Sequence, residues 1–204
     1  MAELTLTTFL TLDGVMQAPG APGEDRSGNF PYGGWLFPHA DEDMGQTMVE
    51  IFSKADAFLL GRTTYDIFSG HWPRVTDADD PIASKLNSLP KFVASRTLTT
   101  FNWSASSPVR DVVKQVGELK KRFSREVQVH GSCGLAQTLM AHDLIDEYRL
   151  LTFPVVLGTG KRLFGAGSVP ATLKLLRSHA TSKGAIVSVY RRAGELKTGS
   201  FALD

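Results

Sequence analysis

The sequence predicts an α/β protein whose central sheet is mostly parallel, with antiparallel strands at one edge. Two observations lead to this class. Up to Ala141, short apolar runs typical of buried strands alternate with segments of helical hydrophobic periodicity, the pattern of a parallel sheet with crossover helices. After Ala141 only strand-like segments follow, and the last two flank Lys183-Gly184, a dipeptide typical of a turn. The chain has no internal repeats or heptads, which excludes solenoids and coiled coils.

The first half of the chain begins with a strand at Leu4–Leu12, which is rich in Thr, Leu and Phe. Asp13–Trp35 is a long irregular stretch rich in Gly and Pro, and its aromatic residues indicate that it packs against the domain. Asp41–Ser53 has apolar residues at helical spacing. Ala55–Leu60 is a short apolar run that ends at a glycine, typical of a buried strand, and Thr63–Ser69 is again helical in character.

The second half continues the alternation. Pro81–Leu89 is predicted as a short helix and Lys91–Ser95 as a short strand. Val109–Phe123 places valines and a leucine on one face of an amphipathic helix. Val127–His130 is predicted as a strand, and a glycine-rich turn then opens the helix Leu135–Ala141.

The C-terminal part is predicted to be all strand. Asp146–Val156 forms one long strand, and Thr172–Ala180 and Ala185–Arg192 form a closing hairpin. We therefore predict a single domain over residues 1–192, followed by a polar tail at 193–204.

Charge and cysteine content exclude several classes of function. The chain has 204 residues, with 22 Lys and Arg against 21 Asp and Glu, a net charge of +1. A near-neutral chain does not attract nucleic acid or anionic membranes generally, so neither is expected as a partner. The single cysteine, Cys133, excludes an internal disulfide, and the five histidines show no metal-ligand spacing, so no metal is expected. Without signal-peptide features or an apolar run of about 20 residues, the expected location is cytoplasmic.

Three predicted strands end in turns that could bind anions. Such turns meet at one edge of a parallel sheet, where backbone N–H groups and helix dipoles favour negative charge. The candidate residues are Gly61, Arg62, Thr63, Thr64, Ser95, Arg96, Gly131, Ser132, Cys133, Gly134 and Leu135. Each turn alone could be an ordinary capped strand-to-helix connection. Together, two arginines and a glycine-rich helix start favour a ligand with several phosphates, such as a dinucleotide.

Other candidate residues leave alternatives open. Ser132 could be a nucleophile assisted by a histidine such as His179, but only one glycine of the nucleophile-elbow pattern is present. Cys133 could be a reactive thiol or a small buried residue. Asp13, at the end of the first strand, could be a turn residue, or it could orient a substrate or supply a proton.

Five segments in order along the chain carry a resemblance to a known family. They are Thr11–Val15, Leu60–Tyr65, Ser95–Thr97, Gly131–Leu135 and Pro154–Phe164. In these segments the sequence resembles the dihydrofolate reductase-like family, specifically the branch that includes the reductase domain of bacterial riboflavin biosynthesis (RibD C-terminal-like). The resemblance extends over about residues 4–191. It implies a three-layer αβα fold and NADPH as cofactor, and it suggests a homodimer.

The resemblance also assigns roles to the candidate residues. It implies that Gly61–Thr64 lies along the cofactor phosphates, that Ser95 and Arg96 hold the adenosine 2′-phosphate, and that Gly131–Leu135 covers the pyrophosphate. Asp13 would lie near the nicotinamide and the substrate. The wall of the substrate pocket would be formed by Tyr65, Phe68 and Trp72.

The expected function is therefore that of an NADPH-dependent reductase. It would transfer hydride to a small polar heterocycle or to a carbonyl or imine group, for example a pyrimidine- or pterin-like acceptor similar to 5-amino-6-(5-phosphoribosylamino)uracil. Two alternatives come from other classes: a module that binds NADPH without turnover, and a serine hydrolase that uses Ser132.

Overall fold

A computed structural model describes residues 1–202 and contains one eight-stranded sheet and five α-helices. The strands are β1 (Glu3–Thr11), β2 (Ala55–Gly61), β3 (Lys91–Ala94), β4 (Ser106–Val109), β5 (Glu126–His130), β6 (Glu147–Phe153), β7 (Leu173–Ala180) and β8 (Ile186–Arg192). The helices are α1 (Glu42–Ser53), α2 (Arg62–His71), α3 (Pro81–Ser88), α4 (Val112–Arg122) and α5 (Cys133–Ala141). Within residues 1–202, none of these helices has the length and apolar character needed to cross a membrane.

The strand order confirms the predicted sheet. It runs β4-β3-β2-β5-β1-β6-β8-β7. All pairs from β4 to β6 are parallel, whereas β6–β8 and β8–β7 are antiparallel. The antiparallel strands therefore lie together at one edge, as the final hairpin pattern predicts.

Helices cover both faces of the sheet, which confirms the three-layer arrangement. On one face, α4 and α5 contribute Val116, Leu119 and Leu139 to a core that also contains the inward valines of β5. On the other face, α1 and α3 bury Phe52 and Leu86 against β2 and β3. Because successive side chains of a strand point to opposite faces, each central strand supplies both cores.

One strand was not predicted, and this changes the start of the following helix. The sequence pattern predicts a helix from Val109, but Val109 is the last residue of β4. Asp111 caps α4 by accepting a hydrogen bond from the backbone N–H of Lys114 at 3.2 Å. The sequence of β4 contains two serines and Pro108, which are poor strand formers. Proline is tolerated because β4 is an edge strand, whose outer N–H groups need no partner within the sheet.

The long loop at residues 13–35 packs against the domain, as its aromatic residues predict. Phe30 and Trp35 are buried, and the Trp35 indole Nε1 donates a hydrogen bond to the carbonyl of Gln17 at 2.8 Å. Gly160 fits beneath this loop, since a Cβ atom there would lie 2.8 Å from the Phe30 ring. The loop is thereby held against the segment that follows β6.

Candidate functional site

A cleft of about 1400 Å³ opens at the carboxyl ends of the parallel strands. It lies where β5 enters the sheet beside β2, and the helices after these two strands pack on opposite faces. This topological switch point is the usual ligand site of open α/β sheets. The volume exceeds the roughly 300–1,000 Å³ of most single-ligand pockets, so the cleft has room for a cofactor and a second molecule.

Two helix N-termini converge at the centre of the cleft. α2 starts directly after Gly61, and α5 starts after Ser132. The Gly61 N–H donates a hydrogen bond to Ser132 Oγ at 3.0 Å, and the Thr64 hydroxyl lies 2.9 Å from the same oxygen. Gly131 and Ser132 both adopt positive φ, at 54° and 59°, which bends the chain sharply into α5. The positive ends of two helix dipoles thus face the same space.

The turn after β3 supplies the positively charged end of the cleft. Ser95 Oγ accepts hydrogen bonds from the N–H groups of Thr97 and Leu98 and so closes the turn. Arg96 is exposed and lines the cleft, and within residues 1–202 it forms no ion pair, whereas Arg62 of the same cleft pairs with Asp66 at 2.6 Å. Arg110 also lines the cleft and donates to the carbonyls of Ser95 and Leu98 at 2.7 and 2.8 Å. Sequence reasoning missed Arg110 because it missed β4, the strand that carries it here.

The structure brings most of the predicted site residues together. Those that line the cleft are Gly61, Arg62, Thr63, Thr64, Phe68, Trp72, Ser95, Arg96, Gly131, Ser132, Cys133, Gly134 and Leu135. Phe68 and Trp72 lie on the apolar side of the cleft with Met48 and Phe52 of α1. Tyr65 does not line the cleft: its side chain is buried in the core, and its hydroxyl accepts a hydrogen bond from the Trp103 N–H at 3.3 Å. Tyr65 directly follows the cleft-facing Thr64 in α2, and successive helical residues point in different directions, so its ring points into the core.

Asp13 also lies outside the cleft lining, and its carboxylate holds the segment after β6. It accepts hydrogen bonds from the Thr11 hydroxyl at 2.6 Å and from the backbone N–H groups of Leu157 and Gly158 at 3.2 and 2.8 Å. Arg162 pairs with it at 3.2 Å. The Thr11 hydroxyl, followed by the backbone N–H groups and Arg162, holds the pKa of Asp13 well below its usual range, although partial burial opposes this. A carboxyl with so low a pKa carries no proton to donate at neutral pH. These contacts favour the turn role for Asp13 over that of a proton donor.

We expect the substitution Asp13→Asn to act mainly on stability. An amide in place of the carboxylate leaves Arg162 without its ion partner and loses hydrogen bonds to the backbone, which should lower the free energy of unfolding by about 1–3 kcal/mol at neutral pH. Because the Asp13 pKa is lowered in the folded state, its contribution is complete above about pH 4 and is lost as the pH falls further. Urea unfolding of both proteins at neutral and acidic pH measures this difference.

Glu50→Gln is the control for this prediction, because Glu50 forms an exposed pair with Lys54. Removing this pair should lower the free energy of unfolding by less than about 1 kcal/mol. Unchanged stability of Asp13→Asn together with lost turnover would instead support the catalytic role.

Sequence reasoning also missed a buried polar row that ends at the cleft. Glu126, Gln128 and His130 alternate with valines along β5 and lie on its α1-facing side, where Gln128 donates to the Ile51 carbonyl at 2.6 Å. Arg149 of β6 donates to both carboxylate oxygens of Glu126 at 2.7 and 2.8 Å. His130 stacks on Phe52 with ring centroids 4.4 Å apart and lines the cleft. The period-two alternation of polar residues in a strand expected to be buried is the feature that could have revealed this row.

The surroundings of Ser132 and Cys133 do not favour nucleophilic chemistry. In residues 1–202, the Ser132 hydroxyl contacts the Gly61 N–H, the Thr64 hydroxyl and the carbonyl of His130, and no imidazole nitrogen is among its partners. His179 lies on β7, at the far edge of the sheet. Burial raises the pKa of the Cys133 thiol, which reduces its thiolate fraction. The hydrolase alternative therefore has no support in the geometry.

Comparison with known proteins gives a consistent result. Residues 2–187 match the family model described as the RibD C-terminal domain. The chain is 31% identical over 194 residues to the uncharacterized protein YyaP of Bacillus subtilis (strain 168), covering 94% of this chain and 96% of that protein. Among solved structures, a protein of Shewanella sp. PV-4 is similar with a TM-score of 0.69 and 24% identity, covering 95% of this chain and 99% of that one. A pyrimidine reductase-like protein of Corynebacterium diphtheriae aligns with a TM-score of 0.62 and 14% identity, covering 95% and 93%.

Both structural matches share the fold of this chain, with the dihydrofolate reductase-like arrangement that the sequence predicts. The match to the family model covers β1 to β7 and α1 to α5, ends at the second residue of β8, and includes every residue that lines the cleft. The chain belongs to the RibD C-terminal domain family.

Proposed function

We propose that this protein is an NADPH-dependent reductase that passes hydride to a small polar heterocycle of the pyrimidine or pterin kind. The observation that carries the proposal is the convergence of two helix N-termini between Gly61 and Ser132, with the unpaired guanidinium of Arg96 at one end of the same cleft. Membership of the RibD C-terminal domain family supports a reductase role, and the similarity to a pyrimidine reductase-like protein suggests the acceptor class.

The central residues suit a dinucleotide pyrophosphate. Anions bind where free backbone N–H groups and helix dipoles point outward, and α2 and α5 provide both. A Cβ atom on Gly61 would lie 3.2 Å from Ser132 Cβ, so glycine keeps the two turns in close contact. The hydroxyls of Thr63 and Thr64 add hydrogen-bond donors at the same place.

The two ends of the cleft would hold the ends of the cofactor. Ser95 and Arg96 would bind the adenosine 2′-phosphate, with Arg110 fixing their turn through its two carbonyl contacts. The nicotinamide end would face Phe68, Trp72 and the α1 side chains Met48 and Phe52. When bound, NADPH would supply the hydride, and this apolar wall would orient the acceptor and exclude water.

The test of this function is the pair of substitutions Arg96→Ala and Arg62→Ala. Only NADPH carries the 2′-phosphate, so Arg96→Ala should weaken NADPH binding about 10- to 100-fold while leaving NADH binding nearly unchanged. Arg62 lines the cleft at the start of α2, where it would lie beside phosphates that both cofactors share, so Arg62→Ala should weaken both to the same extent. Titration calorimetry with each cofactor measures these affinities.

Equal losses of NADPH and NADH binding in Arg96→Ala would remove Arg96 from this role. Oxidation of bound NADPH by pyrimidine and pterin acceptors separates the reductase from a module that binds the cofactor without turnover. A protein that binds NADPH tightly and oxidises it with none of these acceptors would contradict the proposed reaction.

The homodimer and the cytoplasmic location stay predictions. β7 forms the open edge of the sheet, and its neighbouring Leu175 and Leu176 are 48% and 46% exposed. An exposed apolar edge strand of this kind favours pairing with a second copy.

A further inference from the structure

Two buried polar side chains lie side by side on the floor of the cleft, and neither has a role in the cofactor contacts described above. Thr7 of β1 and His130 of β5 are register partners in the parallel pairing, so their side chains point to the same face of the sheet, toward α1. Both line the cleft, and they are only 2% and 5% exposed. Polar groups this deeply buried are normally hydrogen-bonded.

Thr7 lacks such a partner. Its Oγ1 is fully buried, and no donor or acceptor within residues 1–202 hydrogen-bonds to it. The hydroxyl of Thr5, two positions earlier on the same face of β1, does have a partner, since it donates to Glu126 Oε2 at 3.5 Å. A hydroxyl can donate one hydrogen bond and accept others, so Thr7 offers an unused donor at the cleft floor.

His130 offers an unused acceptor beside it. The Gln128 amide nitrogen donates to the Ile51 carbonyl and to Glu126 Oε2 at 2.6 and 2.7 Å, which leaves only its oxygen to face His130 Nε2 at 3.0 Å. A carbonyl oxygen only accepts, so this network assigns the proton to Nε2 and leaves Nδ1 a bare acceptor. Burial, with a smaller effect from Arg149, lowers the pKa of His130 to about 3, so the ring is neutral at neutral pH.

The surroundings of this pair fit a flat ring. Phe52 stacks on His130 with an interplanar angle of 10°, and Met48 and Phe68 add apolar surface to the same side of the cleft. A donor next to an acceptor matches the edge of a cyclic amide, in which a ring N–H stands beside a carbonyl oxygen.

We propose that Thr7 and His130 select the acceptor by binding its cyclic-amide edge. His130 Nδ1 accepts the ring N–H, and the Thr7 hydroxyl donates to the neighbouring carbonyl oxygen. This inference rests on the proposed function, because it names the class of molecule that occupies the acceptor side of the cleft.

The test uses pteridine-2,4-dione, a flat cyclic amide, and its 1,3-dimethyl derivative, in which both ring N–H groups are blocked. Calorimetric titrations into the wild type and into Thr7→Val are done with and without NADPH. Valine has the shape of threonine without the hydroxyl, so pteridine-2,4-dione should bind about 3- to 10-fold more weakly to Thr7→Val. The dimethyl derivative should bind the wild type about tenfold more weakly than pteridine-2,4-dione does, because it offers His130 no donor.

A second readout separates recognition from a structural role. Removing a buried hydroxyl that has no partner should leave the melting temperature of Thr7→Val equal to that of the wild type or higher. NADPH affinity should not change. The control is Thr5→Val, on the same strand and face but outside the cleft lining, which should leave the affinity for pteridine-2,4-dione unchanged.

Three results would overturn this inference: no binding of pteridine-2,4-dione to the wild type, equal binding of its dimethyl derivative, or unchanged affinity in Thr7→Val. None of them depends on turnover. Failure of the wild type to bind NADPH would instead contradict the proposed function, and the titrations without cofactor would still decide the roles of Thr7 and His130.

Discussion

Replacing Arg149 with methionine is expected to lower the free energy of unfolding by about 3–5 kcal/mol at neutral pH, the largest single effect on stability that we predict. The Arg149 side chain is 3% exposed and donates to both oxygens of Glu126, while its Nε donates to Glu147 at 2.8 Å. Without the guanidinium, the Glu126 carboxylate, about 10% exposed, loses the one ion partner it has within residues 1–202, whereas Glu147 keeps its pair with Arg191 at 3.3 Å. Removing one member of a buried ion pair leaves its partner charged and poorly solvated.

The pH dependence of this variant follows from Glu126. In the wild type, burial raises the pKa of Glu126, but the hydrogen bonds and charge of Arg149 outweigh this and lower it. Without Arg149, we expect burial to outweigh the remaining contacts with Gln128 and Lys54 and to raise the pKa of Glu126 above its unfolded value. An acid with a raised folded pKa is stabilising only while protonated, so the deficit of Arg149→Met should be larger at about pH 8 than at about pH 5. Urea unfolding at both pH values measures this.

Two further variants make the test specific. Arg149→Met combined with Glu126→Gln should be more stable than Arg149→Met alone, since the second change removes the unpaired charge. Arg177→Met is the matched control, because Arg177 forms a half-exposed pair with Glu50. Its substitution should lower the free energy of unfolding by less than about 1 kcal/mol. If Arg149→Met lowers the free energy of unfolding no more than Arg177→Met does, the buried cluster does not need its arginine for stability.

The fold was predictable because its signals are local. Apolar runs such as Ala55–Leu60 and the amphipathic face of α4 follow the periods of strand and helix, and both elements are present, although α4 begins three residues later than predicted. β4 was missed for the same reason: Ser106–Val109 has no strand-like period, and only its pairing with β3 makes it a strand. Because β4 was not predicted, Arg110 was not recognised as a candidate site residue.

The candidate site was predictable only where it is built from consecutive residues. The turns at Gly61–Thr64 and Gly131–Leu135 are visible in the sequence because a glycine-rich strand end before a helix is a local pattern. The contacts of Asp13 are not local, since Gly158 is 145 positions further along the chain. The pairing of Thr7 with His130 likewise depends on which strands are neighbours, and hydrophobic periodicity does not determine strand order.

The second large effect is expected from Gly61→Val, and it falls on cofactor binding. Gly61 ends β2 and lies against Ser132 and Leu135 of the opposing turn, where even a Cβ atom would lie 3.2 Å from Ser132 Cβ and 3.6 Å from Leu135 Cβ. The two additional methyl groups of valine would push the N-termini of α2 and α5 apart, and the Gly61 N–H would lose its bond to Ser132 Oγ. Overpacking of this kind lowers the free energy of unfolding by about 1–3 kcal/mol, so a domain of this size should still fold.

Cofactor affinity should respond more strongly than stability to the same change, because in the proposed binding mode the pyrophosphate would use N–H groups from both helices at once. If each helix end alone binds anions weakly, separating them should weaken NADPH and NADH binding about 10- to 100-fold alike, since both cofactors share the pyrophosphate. Gly70→Ala is the control: Gly70 lies near the end of α2, away from the cleft lining, and a Cβ atom there meets no neighbouring atom within 4 Å. Calorimetry with both cofactors, together with urea unfolding, measures the two effects separately. Wild-type affinity for NADPH in a folded Gly61→Val would show that the cofactor does not use this junction, whereas a loss confined to NADPH would place the 2′-phosphate, and not the pyrophosphate, between the two helices.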